Sequence, residues 1–179
     1  MAALLELVTS PSDITLSRVW KALAPAEREA ALQSIASDKE SRPQFLQMVM
    51  TLPRYRTFRP QAVARLKGAE LVSALASASQ VPNELIQTGL IRLHLPARAS
   101  MLGAFLEALG IPHEGGLITE GVTVALPEGG RITDAIAGLA RRFPPREVTI
   151  YLLSLVAIDP PTWQPLAAVL PAVAGVLGE

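Results

Sequence analysis

Arginine side chains give the clearest chemical signal in this sequence. Residues 41–69, here called the basic segment, contain six basic residues and no acidic one, although the whole chain has 16 of each and is formally neutral. The candidate binding residues in this segment are Arg54, Tyr55, Arg56, Phe58, Arg59, Arg65 and Lys67. Guanidinium groups pair with phosphate or carboxylate, and aromatic faces can stack on bases. The basic segment therefore predicts a surface for an anionic ligand, either an acidic protein or a nucleic acid.

The basic segment has a second interpretation, in which its charges are neutralised within the chain. The acids available for this on its two flanks are Glu27, Glu29, Asp38, Glu40 and Glu70. Exposed ion pairs of that kind contribute only about 0 to 1 kcal/mol each. Tyr55 and Phe58 would then anchor a loop in the core. The sequence leaves both alternatives open.

The two histidines give little support for catalysis. His94 lies between Leu93 and Leu95 near a predicted helix end, where a structural role is the default. His113 precedes Glu114, but adjacent residues do not face each other in regular structure, so the two are not a ready acid and base. An enzyme with a site near His113 is therefore less favoured than a binding function.

Other catalytic and cofactor motifs are missing from the sequence. There is no cysteine, no His-Glu-x-x-His metal motif and no Gly-x-Ser-x-Gly nucleophile motif. The pairs Gly115-Gly116 and Gly129-Gly130 match neither the phosphate-loop nor the dinucleotide fingerprint, and turn formation explains them. We therefore expect no metal and no cofactor.

Hydrophobic periodicity predicts helices along most of the chain. Leu16, Val19, Trp20 and Leu23 recur at helical spacing, and Ser12 or Asp13 is expected to cap that helix. Further helices are predicted at 25–37, 41–52, 60–67 (closed by Gly68), through the apolar stripe at 71–78, from Pro82, from Pro96 to 109, and at 133–143, 145–158 and 162–177. The last is expected to kink at Pro171.

Prolines and glycines punctuate these helices. Pro25, Pro96 and Pro145 each stand where one helix ends and the next begins, which predicts tight helical hairpins. Gly110 is expected to adopt the left-handed conformation that ends a helix. Residues 111–131 are rich in glycine and contain the β-branched run 122–124, so we predict a long loop with a small β-hairpin.

The predicted fold is all-α: a compact irregular bundle, or a short solenoid-like stack of helical hairpins, forming a single helical domain over residues 1–179. Hydrophobic residues make up 50% of the chain and aromatic residues only 4%, so the core must consist mainly of aliphatic side chains. The larger residues expected in that core are Trp20, Phe45, Leu102, Phe105, Leu152 and Leu166.

The sequence favours a cytoplasmic location. No basic residue precedes the short apolar run within residues 1–11, unlike in a secretion signal. Residues 160–178 are uncharged but rich in alanine and proline, which predicts a buried C-terminal helix rather than a membrane anchor. Absence of cysteine permits a reducing compartment.

These observations favour a non-catalytic helical module, an adaptor or regulator, that binds another protein. Helical hairpins offer grooves, and the basic segment offers charge. The alternative is a nucleic-acid-binding protein that uses residues 42–67. No membrane partner is expected, and the sequence does not indicate an oligomeric state.

Overall fold

The computed structural model describes residues 1–78, 80–95 and 97–178, most of which are helical. Within these ranges the β-structure is a single two-stranded sheet. The all-α fold class predicted from the sequence is confirmed.

The α-helices, numbered in chain order, are α1 Ala2–Thr9, α2 Leu16–Ala22, α3 Pro25–Ser37, α4 Arg42–Val49, α5 Pro60–Ala64, α6 Gly68–Ala76, α7 Asn83–His94, α8 Ala99–Leu109, α9 Gly129–Arg142, α10 Pro145–Ile158, α11 Gln164–Val169 and α12 Ala174–Gly178. Short 3-10 helices span Pro11–Asp13 and Leu170–Val173, and strands β1 and β2 span His113–Glu114 and Leu117–Ile118.

Contacts along the chain define two compact units. The terminal unit combines Met1–Ala22 with His94–Glu179, and the middle unit is Leu23–Leu93. The single-domain interpretation of the sequence stays a prediction.

Helix α10 is the central helix of the terminal unit. It contacts α1, α2, α9, α11 and α12. Its side chains are buried on all sides, as expected for a helix that is apolar around its whole circumference. The two hydroxyls on it are satisfied within the helix: Thr149 Oγ1 donates to the carbonyl of Pro145, and Ser154 Oγ to that of Ile150, both at 2.7 Å.

Aromatic residues lie at the centre of this packing. The Phe105 ring on α8 meets Tyr151 edge-on, with centroids 5.7 Å apart, and stacks near Trp163 at 6.3 Å. The six core residues predicted from helical stripes, Trp20, Phe45, Leu102, Phe105, Leu152 and Leu166, are all buried.

The middle unit is organised around the packing of α3 on α6, with α4 against α3 and α5 against α4. Asp38, directly after α3, connects three elements. Its Oδ2 accepts hydrogen bonds from the amide and the hydroxyl of Ser41 at 3.1 and 2.6 Å, and from Arg92 on α7 at 3.0 Å. These bonds hold the pKa of Asp38 below its ordinary value, with the Ser41 hydroxyl as the largest cause.

Two predicted helix starts are confirmed. Pro25 and Pro145 occupy the first turns of α3 and α10, where a missing amide proton costs nothing. The side chain of Glu27 also accepts a 2.6 Å hydrogen bond from the amide of Ala24 at the start of α3. The third predicted start, at Pro96, lies outside the described residues. The predicted helix end at Gly110 is also confirmed, since this residue follows α8 with a left-handed φ of 76°.

Several predicted boundaries were wrong. Ser12 and Asp13 belong to a 3-10 turn, and Thr15 caps α2 by accepting the amide of Arg18 at 3.3 Å. Helix α4 ends at Val49 instead of continuing to residue 52. Gly68 begins α6 instead of closing α5, and α9 begins at Gly129 instead of residue 133. Glycine can lie at the beginning of a helix as well as after its end. The position of a glycine in the sequence therefore did not show whether a helix begins or ends there.

The hairpin predicted within residues 111–131 is present, but it precedes the β-branched run. Strands β1 and β2 pair antiparallel, with His113 opposite Ile118. Residues 122–124 form no strand. The turn between the strands needs glycine at position 116, because φ is +86° and a Cβ there would lie 2.7 Å from that of Leu102.

The C-terminal helix is interrupted as predicted. A 3-10 turn containing Pro171 separates α11 from α12. Across the three described ranges, no helix has both the length and the apolar character required to cross a lipid bilayer.

Candidate anion-binding surface

The basic segment follows α4 as a series of tight turns. The amides of Tyr55 and Arg56 donate to the carbonyl of Leu52 at 2.9 and 3.0 Å, and the amide of Phe58 donates to the carbonyl of Tyr55 at 3.0 Å. Helix α5 then begins with Pro60 in its first turn. Hydrogen bonds within the backbone therefore hold these turns together.

Tyr55 anchors these turns, since its side chain is only 3% exposed. Phe58 meets the Tyr55 ring edge-on with centroids 5.8 Å apart, and the guanidinium carbon of Arg54 lies 5.4 Å from the Tyr55 centroid. Burial leaves Tyr55 without a ring face for a ligand. Of the two aromatic residues proposed from the sequence, Phe58 is the one at the surface, with 44% of it exposed.

The basic side chains of the segment are all exposed. They are Arg42, Arg54, Arg56, Arg59, Arg65 and Lys67. In the part of the chain that the structure describes, none of them lies within ion-pair distance of a carboxylate. Asp38, one of the acids considered as an internal partner, pairs with Arg92 instead. The positive charge of the segment is therefore available to solvent.

An open cavity of about 450 Å³ lies beside the segment. It is lined by Arg54, Ala69, Glu70, Ser73, Ala74 and Ser77. The small residues lie on the exposed face of α6, so a partner side chain can approach the helix backbone here. Sequence reasoning missed this cavity, because nothing in the spacing of residues brings Arg54 to the face of α6.

A second polar cluster surrounds a buried histidine. His94, 4% exposed, has its Nε2 3.2 Å from Ser154 Oγ and its Nδ1 3.4 Å from Arg98. Arg98 in turn pairs with Glu147, Nε to Oε2, at 3.2 Å. Burial, with a smaller effect of the Arg98 charge, lowers the pKa of His94 to about 3.

The hydrogen-bond directions in this cluster follow from its donors. Ser154 gives its proton to the carbonyl of Ile150, so toward His94 it acts as an acceptor. A guanidinium only donates, so Nδ1 of His94 accepts and Nε2 carries the proton. A serine nucleophile needs the opposite: a free Nε2 lone pair and a carboxylate on Nδ1. The cluster is built to satisfy buried polar groups, which matches the structural role expected of His94.

His113 also has a packing environment. Its ring lies against α8, where a Cβ added at Gly103 would be 3.1 Å from the ring Cε1. The amide of Gly116 donates to Nδ1 at 3.4 Å, and Nε2 lies 3.7 Å from Glu107 Oε1. The sequence drew attention to Glu114, but the nearby carboxylate comes from α8. The pairing depends on tertiary packing, for which the sequence contains no local signal.

The residues that the structure describes contain no group of three acidic or histidine side chains able to hold a metal ion. The basic segment is the candidate surface, with Phe58 exposed within it and the Arg54 cavity beside it. Comparison of the chain with models of protein families, with characterised proteins and with solved structures finds no match.

Proposed function

We propose that this chain is a cytoplasmic, non-catalytic helical module that binds an acidic partner protein through its basic segment. The observation that supports this most directly is the exposure of Arg54, Arg56 and Arg59 without a carboxylate partner at ion-pair distance among the described residues. The cytoplasmic location rests on the sequence alone.

A local surplus of positive charge suits this function physically. The potential around the basic segment accelerates encounter with an acidic surface, although the whole chain is neutral. Arginine forms paired hydrogen bonds with a carboxylate through its planar guanidinium, which adds orientation to attraction. Because Tyr55 anchors the turns, the backbone is ordered before binding, which lowers the entropic cost of association.

A protein partner is favoured over nucleic acid by the burial of Tyr55. Single-stranded nucleic acids bind by stacking successive bases on several aromatic rings, and Phe58 is the one aromatic ring that the segment exposes. Reading of a DNA groove usually employs a longer helix than α5, which has five residues.

The test is the triple charge reversal R54E/R56E/R59E. Its control is K39E/R141E/R142E, which changes the net charge equally at exposed positions outside residues 50–67. Both proteins are tagged and used to capture material from nuclease-treated lysate of the cells that produce the chain, after circular dichroism has shown equal helicity. We expect wild type and control to retain the same protein and the R54E/R56E/R59E variant to lose it.

Two results would contradict the proposal. Equal capture by the folded triple variant would show that the segment is not the binding surface. Capture from untreated lysate that is absent after nuclease treatment, together with a steep salt dependence, would favour the nucleic-acid alternative.

A further inference from the structure

We infer that the partner presents an acidic segment with one aromatic or large aliphatic side chain among its carboxylates, and that this side chain packs on Phe58. This inference rests on the proposed function, since it specifies what binds to the same surface. It concerns the apolar component of recognition, which the charge of the segment does not explain.

The exposure of Phe58 is the first argument. A phenylalanine that is 44% exposed loses hydrophobic stabilisation compared with a buried one. Its contact with Tyr55 fixes the ring on one side and leaves the rest accessible. An aromatic ring that already packs against a neighbouring ring is a favourable anchor for binding, because it loses less side-chain freedom when a partner covers it.

The position of Phe58 among the cations is the second argument. Arg56 and Arg59 flank it in the sequence, and Arg54 lies against the Tyr55 ring that Phe58 contacts. A partner side chain on Phe58 excludes water from this neighbourhood, and ion pairs strengthen when water is excluded. Carboxylates on both sides of the apolar residue would then meet the guanidinium groups. The apolar and ionic contacts should therefore reinforce each other.

The Arg54 cavity supports an extended footprint. Arg54 contacts the Tyr55 ring and also lines the cavity on α6, so a segment bound on Phe58 can continue across Ala69 and Ser73. Glu70 at that cavity disfavours a further carboxylate there. We therefore place the acidic residues of the partner near Arg54, Arg56 and Arg59, and uncharged ones over α6.

The experiment uses three fluorescent probes of matched charge, with fluorescence anisotropy as the measurement. One is a short peptide of glutamates and aspartates around a central tryptophan. The second peptide has glycine in place of the tryptophan, and the third probe is an oligothymidylate. We expect the wild-type chain to bind the tryptophan peptide about tenfold more tightly than the glycine peptide.

The variant Phe58→Ser should remove this difference by weakening binding of the tryptophan peptide alone. The matched control is Ile91→Ser, which deletes an apolar residue of similar exposure, 41%, in the same unit. The control should bind all three probes as wild type does. Both positions are exposed, so circular dichroism and melting temperature should change little.

The outcomes separate the inference from the proposed function. If R54E/R56E/R59E abolishes binding of both peptides and Phe58→Ser changes nothing, the surface binds acids but the apolar anchor is wrong. If the triple variant binds both peptides normally, or if wild type binds neither, both proposals fail. Tighter binding of oligothymidylate than of the tryptophan peptide, lost in Phe58→Ser, would make the ring a platform for a base and overturn the inference.

Discussion

The Nε2 atom of His94 lies 3.2 Å from the hydroxyl oxygen of Ser154, although 60 residues separate them in the chain. Both residues belong to the terminal unit, in which His94 begins the second stretch of chain and Ser154 lies in the middle of the central helix α10. Both side chains are buried, so the proton on His94 Nε2 has Ser154 as its acceptor in place of water. The neutral imidazole is part of the core.

This burial predicts an acid-dependent loss of stability. Burial holds the folded-state pKa of His94 at about 3, whereas an unfolded histidine titrates near its ordinary value of 6.5. Below pH 6.5 the unfolded chain binds a proton that the folded chain does not. The free energy of unfolding should therefore fall with decreasing pH, by about 1.4 kcal/mol per pH unit at most, until about pH 3.

The variant His94→Gln isolates this effect. Glutamine keeps a neutral donor but does not titrate, so its stability should depend less on pH between about 4 and 6 than that of wild type. Urea unfolding at several pH values measures both slopes. Parallel stability curves for the two proteins would show that His94 becomes protonated in the folded state.

Phe105 provides a test of the core. It is fully buried and contacts the rings of Tyr151 and Trp163. Phe105→Ala should lower the free energy of unfolding by about 3 to 5 kcal/mol, because it removes apolar contacts and leaves a cavity. Phe58→Ala, at an exposed position, should cost less than about 1 kcal/mol. A loss below about 1 kcal/mol for Phe105→Ala would contradict its position in the core.

The success of the core prediction has a simple origin. Apolar residues at helical spacing mark the buried face of a helix whichever neighbour covers it, so Trp20 and Leu152 were identified correctly. A proline also marks the first turn of a helix through its own backbone geometry, and Pro25 and Pro145 both lie in such first turns. Features set by neighbouring residues were thus accessible to sequence reasoning.

Features set by distant residues were not accessible. The carboxylate near His113 is that of Glu107, which lies on α8 before the hairpin begins, and the partner of His94 is on another helix. The exposure of the arginines was left open by the sequence for the same reason. Tyr55 and Phe58 have similar sequence surroundings, yet only Tyr55 is buried, and this difference determines which ring can meet a ligand.

Asp38 should stabilise the middle unit in a different pH range from that of His94. Hydrogen bonds from Ser41, with a contribution from the Arg92 charge, lower its folded-state pKa. Its stabilising effect is therefore present above the ordinary aspartate range and is lost as pH falls through the lowered pKa. Asp38→Asn should reduce the melting temperature at pH 7 and reduce it less below about pH 4. A loss that is equal at both pH values would show that the charge of Asp38 does not matter.

The two adjacent glycines of the hairpin turn, Gly115 and Gly116, should differ in how much stability an alanine substitution costs. Both have positive φ, at +57° and +86°, so alanine is strained at either position. At 116 a Cβ would also lie 2.8 Å from the carbonyl oxygen of Ala99, whereas nothing lies within 4 Å of a Cβ at 115. Gly115→Ala should therefore cost about 1 kcal/mol, and Gly116→Ala about 2 to 4 kcal/mol, since α8 or the turn must move.

Chemical denaturation of the two variants measures this difference directly. Because Gly116 also donates to Nδ1 of His113, displacement of the turn should shift the histidine NMR signals in Gly116→Ala and leave them nearly unchanged in Gly115→Ala. Equal destabilisation by the two substitutions would mean that the turn does not pack against α8 as described. The hairpin would then be an independent loop, and the contact between His113 and Gly103 would have to be abandoned with it.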